Sequence, residues 1–142
     1  MQYSPTIRKA GKTMKAILDF LKEAGTFYLA TVDGDKAQVR PFGAVCEFEG
    51  KIYLITANQK DVYKQMKANP NVAISATIKD KWVRISAVAE EDTRREARVA
   101  MLEANPSLGR MYNADDNLMV VFKLTGKACI CSFTAAPEEH TI

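Results

Sequence analysis

Thr26-Phe27-Tyr28-Leu29-Ala30-Thr31-Val32-Asp33-Gly34-Asp35 decides the fold class. The segment to Val32 is rich in aromatic and β-branched residues, which favours a strand, and Asp33-Gly34-Asp35 is a turn signal. The returning segment, Ala37–Phe48, reads as one long strand. Pro41 inside it lacks a ladder N–H, which demands a sheet edge, a bulge or a bend. Glu49-Gly50 is a second turn, and in Lys51–Ala57 the residues Ile52, Leu54 and Thr56 alternate with Tyr53 and Ile55. These three runs are expected to form a meander.

On the N-terminal side, Met14, Ile17, Leu18 and Leu21 recur at helical spacing, which predicts a helix over Thr13–Ala24 that stops at Gly25. On the C-terminal side a short helix is expected from Gln59 to Ala68, ended by Asn69-Pro70. Asn71–Ile78 and Lys81–Glu90 read as strands joined by a tight turn at Lys79-Asp80. Thr93-Arg94-Arg95-Glu96 fits a capping box, followed by a helix whose apolar face is Ala97, Ala100, Met101 and Ala104. Asn105-Pro106 breaks that helix, and a turn through Ser107–Tyr112 follows. Leu118–Leu124 and Lys127–Phe133 read as a closing hairpin through Gly126. Residues 1–12 and 134–142 are expected to be a loosely ordered extension and tail. The sum is a single α+β domain over residues 1–142, with a mostly antiparallel sheet of six or seven strands, two to four helices, and a closed or nearly closed barrel.

Composition limits the function classes. The chain has 142 residues, 47% hydrophobic and 26% charged, an ordinary globular balance. A net charge of +3 with scattered basic residues does not make the concentrated face expected of a nucleic-acid binder. No apolar run approaches the roughly 20 residues that span a bilayer, and Met1–Thr13 has no apolar signal core, so a cytoplasmic protein is expected. The three cysteines, Cys46, Cys129 and Cys131, do not suggest a disulfide framework. Cys129 and Cys131 would share one face of a strand, where the simplest reading is packing. The only histidine, His140, falls in the expected tail, which speaks against a Ser–His or Cys–His nucleophile. No Gly-rich phosphate loop is present. If the chain is an enzyme, a bound cofactor carries the hard chemistry.

Two segments stand out as a candidate site. In Val39-Arg40-Pro41-Phe42-Gly43, a proline, an arginine and a glycine interrupt a strand. Such a break is equally expected of a plain edge strand, or of backbone amides and the Arg40 guanidinium facing a planar, polar ligand. In Thr56-Ala57-Asn58-Gln59-Lys60 a strand ends and a helix begins, with Asn58 in the N-cap position. Ordinary capping explains this, but Thr56, the helix amides and Lys60 are also what a phosphate requires. At the ends of neighbouring strands, the two segments would grip the two ends of one phosphorylated ring compound.

These residues also carry a resemblance. Phe27–Val32 followed by Val39-Arg40-Pro41-Phe42, Leu54–Lys60, Met66–Val72 and Trp82–Ala89 resemble successive segments of the pyridoxamine-phosphate-oxidase-like FMN-binding split barrels. The likeness runs from about Thr13 to Phe133 and is nearest to the short nitroimidazole-resistance-type and general-stress-type members. It implies a six-stranded split barrel whose homodimer holds FMN at the subunit interface. By position, Arg40, Pro41, Phe42 and Gly43 would line the flavin ring and ribityl chain. Thr56, Asn58 and Lys60 would hold the phosphate, with a backbone contact from Ala57, and Trp82 would lie near the ring or the phosphate. Met111 and Tyr112 are the candidates for contacts from the second subunit. The family's vitamin B6 oxidases carry an Arg- and Trp-rich C-terminal segment; Ala135–His140 does not match it, and Ala87-Val88-Ala89 replaces a frequent glycine. The resemblance therefore implies an FMN-dependent oxidoreductase that reduces a small nitroaromatic or quinone-like acceptor rather than a B6 oxidase. The alternatives are a non-catalytic flavin-binding protein, or the same barrel holding a deazaflavin or haem.

Overall fold

The computed structural model describes residues 10–142. In chain order the elements are α1 (Ala10–Ala24), β1 (Phe27–Asp33), β2 (Lys36–Phe42), β3 (Val45–Phe48), β4 (Lys51–Ala57), α2 (Asp61–Ala68), β5 (Asn71–Ile78), β6 (Lys81–Asp92), α3 (Arg95–Ala104), a 3₁₀ turn (Pro106–Arg110), β7 (Met119–Ser132) and β8 (Glu138–Thr141). The strands form one sheet in the order β2-β1-β5-β6-β7-β4-β3, all pairs antiparallel, with β8 joined to β7. The path does not return to its start, so the barrel is split rather than closed.

Alternation along the strands decides what lies inside. Phe27 and Leu29, Ile74 and Ala76, Val83 and Ile85, and Phe122 and Leu124 turn to the main core, which α1 covers with Met14, Ile17, Leu18 and Leu21. Helix α1 ends where Gly25 adopts φ 78°, a left-handed conformation that costs glycine little, and its N–H closes on the Leu21 carbonyl at 3.1 Å. β4 is buried on both faces. Its Ile52 and Leu54 enter the main core, while Tyr53 and Ile55 pack with Ala97 and Met101 of α3.

Several expectations change on contact with the structure. The segment Ala37–Phe48 is two strands, because the chain breaks at Gly43-Ala44 and its halves pair with different neighbours. The meander therefore becomes two hairpins, β1–β2 and β3–β4, at opposite ends of the strand order. Pro41 sits on the sheet edge, where its missing N–H breaks no ladder. The closing hairpin at Gly126 does not exist. β7 runs straight through that residue, and a Cβ there would lie 2.2 Å from the Ser86 carbonyl oxygen and 2.7 Å from the Ala87 Cα. The glycine marks a close approach of two backbones, not a turn.

Nor is 134–142 a loose tail. Glu138–Thr141 pairs with Lys127–Ile130, and His140 and Ile142 are buried on the α1 side. A four-residue polar segment with no apolar alternation carries only a weak strand signal in sequence. Of the N-terminal extension, residues 10–12 belong to α1 and residues 1–9 lie outside the described residues. The capping box at Thr93–Glu96 is absent: Arg94 occupies the N-cap position and makes no side-chain cap. Asp92 replaces it from the preceding strand, accepting the Arg94 backbone N–H at 3.1 Å.

That carboxylate fastens α3 to the sheet. It accepts the Tyr53 hydroxyl at 2.7 Å and the Arg94 Nη2 at 2.8 Å, and Arg94 also reaches Glu49 at 2.8 Å. The Arg94 guanidinium, helped by the Tyr53 hydroxyl, holds the Asp92 carboxyl well below the usual carboxylate range, against the opposing effect of burial.

Two outcomes follow from this packing. Gly126→Ala forces a methyl group against backbone that cannot swing aside, and is expected to lower unfolding free energy by about 2–3 kcal/mol in urea titrations. For Asp92, a folded-state pKa below the unfolded value means the stabilisation is present above the ordinary carboxylate pKa and is lost as pH falls. Asp92→Asn should therefore destabilise the protein at pH 7 and flatten its loss of stability in acid, measured as urea midpoints across pH 3–7.

Candidate functional site

The break between β2 and β3 and the end of β4 face each other across a cavity of about 340 Å³. Its walls include Arg40, Pro41, Phe42 and Gly43 from the first segment, and Ile55, Thr56 and Lys60 from the second. The two stretches singled out in the sequence thus meet around one space. A third wall comes from the connection after α3, where Leu108, Met111 and Tyr112 close the cavity within the same chain. The Asn105 side chain secures this wall by donating to the Val45 carbonyl at 3.0 Å and the Met101 carbonyl at 3.2 Å.

Arg40 is held from behind. One terminal nitrogen donates to the Thr31 hydroxyl at 2.7 Å and more weakly to the Leu29 carbonyl at 3.4 Å; the other donates to Gln65 Oε1 at 2.7 Å. The Thr31 hydroxyl in turn donates to Gln65 Oε1 at 2.5 Å. This triangle joins β1, β2 and α2 and fixes the guanidinium at the cavity edge. Burial lowers the Arg40 pKa from its ordinary value, with Asp61 acting in the opposite direction, but an arginine stays protonated.

The opposite end is suited to an anion. Thr56 is buried, and its hydroxyl makes no hydrogen bond among the described residues. Lys60 is exposed, precedes α2 as its N-cap residue, and forms no salt bridge among the described residues. The first-turn amides of α2 add a positive helix end, which Asp61 partly offsets.

Other sequence candidates lie elsewhere. Asn58 is not the helix cap; its side chain donates to the Asn117 carbonyl at 2.9 Å and fastens β4 to the start of β7. Ala57 is fully buried and its carbonyl accepts the Lys60 N–H at 3.1 Å. Neither lines the cavity. Trp82 lies on the outer sheet face with Tyr28 and Val39, its ring 4.8 Å from that of Phe133. Met111 and Tyr112 line the cavity of their own chain. Asn105 and Leu108 were missed: Asn105-Pro106 was legible only as a helix stop, and nothing local shows which surface the following turn covers.

An open, antiparallel eight-stranded sheet with three α-helices packed on it is an α+β split barrel. Residues 13–129 match the pyridoxamine 5'-phosphate oxidase family, and the chain belongs to that family. Among solved structures it is similar to a NimC/NimA family protein from Clostridium acetobutylicum, with 45% identity over 94% of each chain and a TM-score of 0.91. The general stress protein 26 of Bacillus anthracis shares the fold at 20% identity, over 93% of this chain and 98% of that one, with a TM-score of 0.67. A heme-binding protein from Mycobacterium smegmatis does so at 16% identity, over 94% of this chain and 58% of that one, with a TM-score of 0.70. No curated protein matches the chain. No helix among the described residues is long and apolar enough to cross a membrane.

The Thr31 hydroxyl is the centre of the Arg40 support. Thr31→Val keeps the volume but leaves Arg40 and Gln65 short of a partner, and is expected to cost about 1–3 kcal/mol in unfolding free energy, read from urea titration.

Proposed function

We propose that this chain is a cytoplasmic, homodimeric FMN-binding flavoprotein that passes electrons from reduced flavin to a small nitroaromatic or quinone-like acceptor. The observation that carries this reading is the single cavity with two unlike ends. Phe42, Gly43 and Ile55, with Leu108 and Tyr112, offer flat and apolar walls for a ring, and Thr56 and Lys60 offer a donor and a cation for a phosphate. Its volume of about 340 Å³ lies within the ordinary range of cofactor pockets. The 45% identical NimC/NimA family protein supports the same class.

Flavin, when bound, supplies the reversible electron transfer. The chain's own contribution is binding and orientation: Thr56 and Lys60 anchor the phosphate, Gly43 admits the ring close to the backbone, and the Leu108–Tyr112 wall keeps water from one side. Arg40 would hold a fixed positive charge at the cavity edge, where it would favour a bound group that gains negative charge. No histidine or cysteine lines the cavity, so the walls offer no nucleophile of the Ser–His or Cys–His kind. Haem is the second reading, because Met111 and Tyr112, residue types that can ligate haem iron, both line the cavity.

The test is a visible spectrum of the purified protein during FMN addition. One flavin per chain is expected, with Lys60→Ala weakening uptake by about 10–100-fold, the worth of one charge-assisted hydrogen bond. A protein that takes up no FMN overturns the assignment, and a Soret band on haem addition would put haem in its place. Bound flavin that no acceptor reoxidises would make the protein a flavin carrier. Sedimentation as a flavin-loaded monomer would remove the homodimer.

A further inference from the structure

Asn105 caps the end of α3 and lines the cavity beside Leu108. Its amide nitrogen is fully engaged: Nδ2 donates to the Val45 carbonyl at 3.0 Å and to the Met101 carbonyl at 3.2 Å. The Met101 sulfur, also an acceptor, lies 3.5 Å from the same nitrogen. A flipped amide would set Oδ1 against these acceptors, so the contacts fix which way the side chain faces. Oδ1 itself receives no hydrogen bond among the described residues. It is not enclosed either, since the only buried side-chain polar atoms left without a hydrogen bond there are the ring nitrogens of His140. The oxygen therefore stays open to a donor, and the opening that Asn105 lines is the cavity.

The rest of the lining sets this atom apart. Arg40 and Lys60 only donate, and Thr56, Ser107 and Tyr112 carry hydroxyls that turn to donate or to accept. Among the described residues no Asp, Glu, His or Gln lines the cavity. The Asn105 Oδ1 is thus the one side-chain atom of the lining that can only accept and cannot turn away. A ligand that covers it without offering an N–H or O–H leaves a desolvated acceptor bare, which costs affinity.

We propose that Asn105 selects the occupant of the cavity by accepting, at Oδ1, a hydrogen bond from a ring imide N–H. The proposal rests on the flavin reading and sharpens it. The pyrimidine edge of a flavin carries one N–H between two carbonyl groups. That N–H is kept in the oxidised and the reduced ring alike, so the contact orients the ring without entering electron transfer. Asn105 stands on the wall with Leu108 and Tyr112, the wall that the flavin reading gives to the ring. Haem has no counterpart, because its edge groups are hydrocarbon and carboxylate and give the amide oxygen no donor. A site built to bond an N–H discriminates against a ligand that lacks it.

The experiment titrates the full chain with FMN and with FMN methylated at the imide nitrogen, following flavin absorption and fluorescence. Methylation is expected to weaken uptake about 10-fold or more, and the difference should shrink to about 3-fold or less in Asn105→Ala. In wild-type protein loaded with FMN carrying nitrogen-15 at the imide position, the N–H proton should exchange slowly with water. It should also show a nuclear Overhauser contact to the Asn105 side-chain amide. Equal uptake of the two flavins overturns the proposal and leaves the flavin reading standing. A methylation penalty that persists in Asn105→Ala does the same. So does a bound imide proton with no contact to Asn105, a result that depends on no variant folding. Uptake of neither flavin overturns the flavin reading and this proposal with it.

Discussion

Everything in this molecule hangs on the ladder between β6 and β7. It runs without interruption from Lys81 opposite Ser132 to Asp92 opposite Val121. Antiparallel pairing at period two fixes the face of every side chain along both strands, and a slip of one residue would turn the whole set over. The ladder keeps its register because Val83, Ile85, Ala87 and Ala89 all need the core. Gly126 opposite Ala87 admits no side chain, because a Cβ there would meet the Ser86 and Ala87 backbone. The other edge of β7 is then shared: Met119–Leu124 receives β4, and Lys127–Ile130 receives β8.

The candidate site follows from that division. β4 can end at the cavity only because the first half of β7 holds it in register, from Ile52 opposite Leu124 to Ala57 opposite Met119. Burial of both its faces, by the main core and by α3, then leaves its terminus little freedom, so Thr56 and Lys60 are presented from a rigid strand end. The facing wall has the opposite character. Among the described residues β2 is an edge strand paired with β1 alone, and Pro41 on it lacks the N–H that a further ladder would use. One wall is positioned by packing and the other is left open, which is how a split barrel makes a ligand cleft without a hole in its core.

What the sequence made legible divides along the same line. The β1 strand, its Asp33-Gly34 turn, the Gly25 stop and the edge position of Pro41 were readable because their causes are local: φ preference, a missing N–H, apolar spacing. Gly126, Asn58 and the segment Glu138–Thr141 were not, because the cause of each lies on another element. Gly126 answers to the Ser86 and Ala87 backbone, Asn58 to the Asn117 carbonyl, and His140 and Ile142 to α1. An isolated glycine in an otherwise continuous strand pattern is the one local signal, and taken alone it reads as a turn. The site divides likewise. Arg40 to Gly43, Thr56 and Lys60 stood out as breaks in strand patterns, whereas the wall of Leu108, Met111 and Tyr112 exists only once α3 is docked. Trp82 entered through the resemblance of Trp82–Ala89, and the structure places it on the outer sheet face beside Tyr28 and Val39.

Docking of α3 in turn rests on charge. Tyr53, Asp92, Arg94 and Glu49 form one connected network where β4, β6 and α3 meet, with Arg94 also 5.1 Å over the Phe48 ring. Arg40 is the counterpart on the other side of the cavity, where Thr31 and Gln65 hold a cation at its edge. The two networks differ in one respect that bears on chemistry. Arg94 is matched by two carboxylates and its charge is spent within the fold. Among the described residues Arg40 is hydrogen-bonded to neutral oxygens alone, with Asp61 acting on it as an opposing charge without a hydrogen bond. A fixed charge at the cavity edge needs little rearrangement when a ligand gains negative charge. The pairing of Arg40 with neutral partners, more than its presence, is what leaves a positive charge standing at the cavity edge.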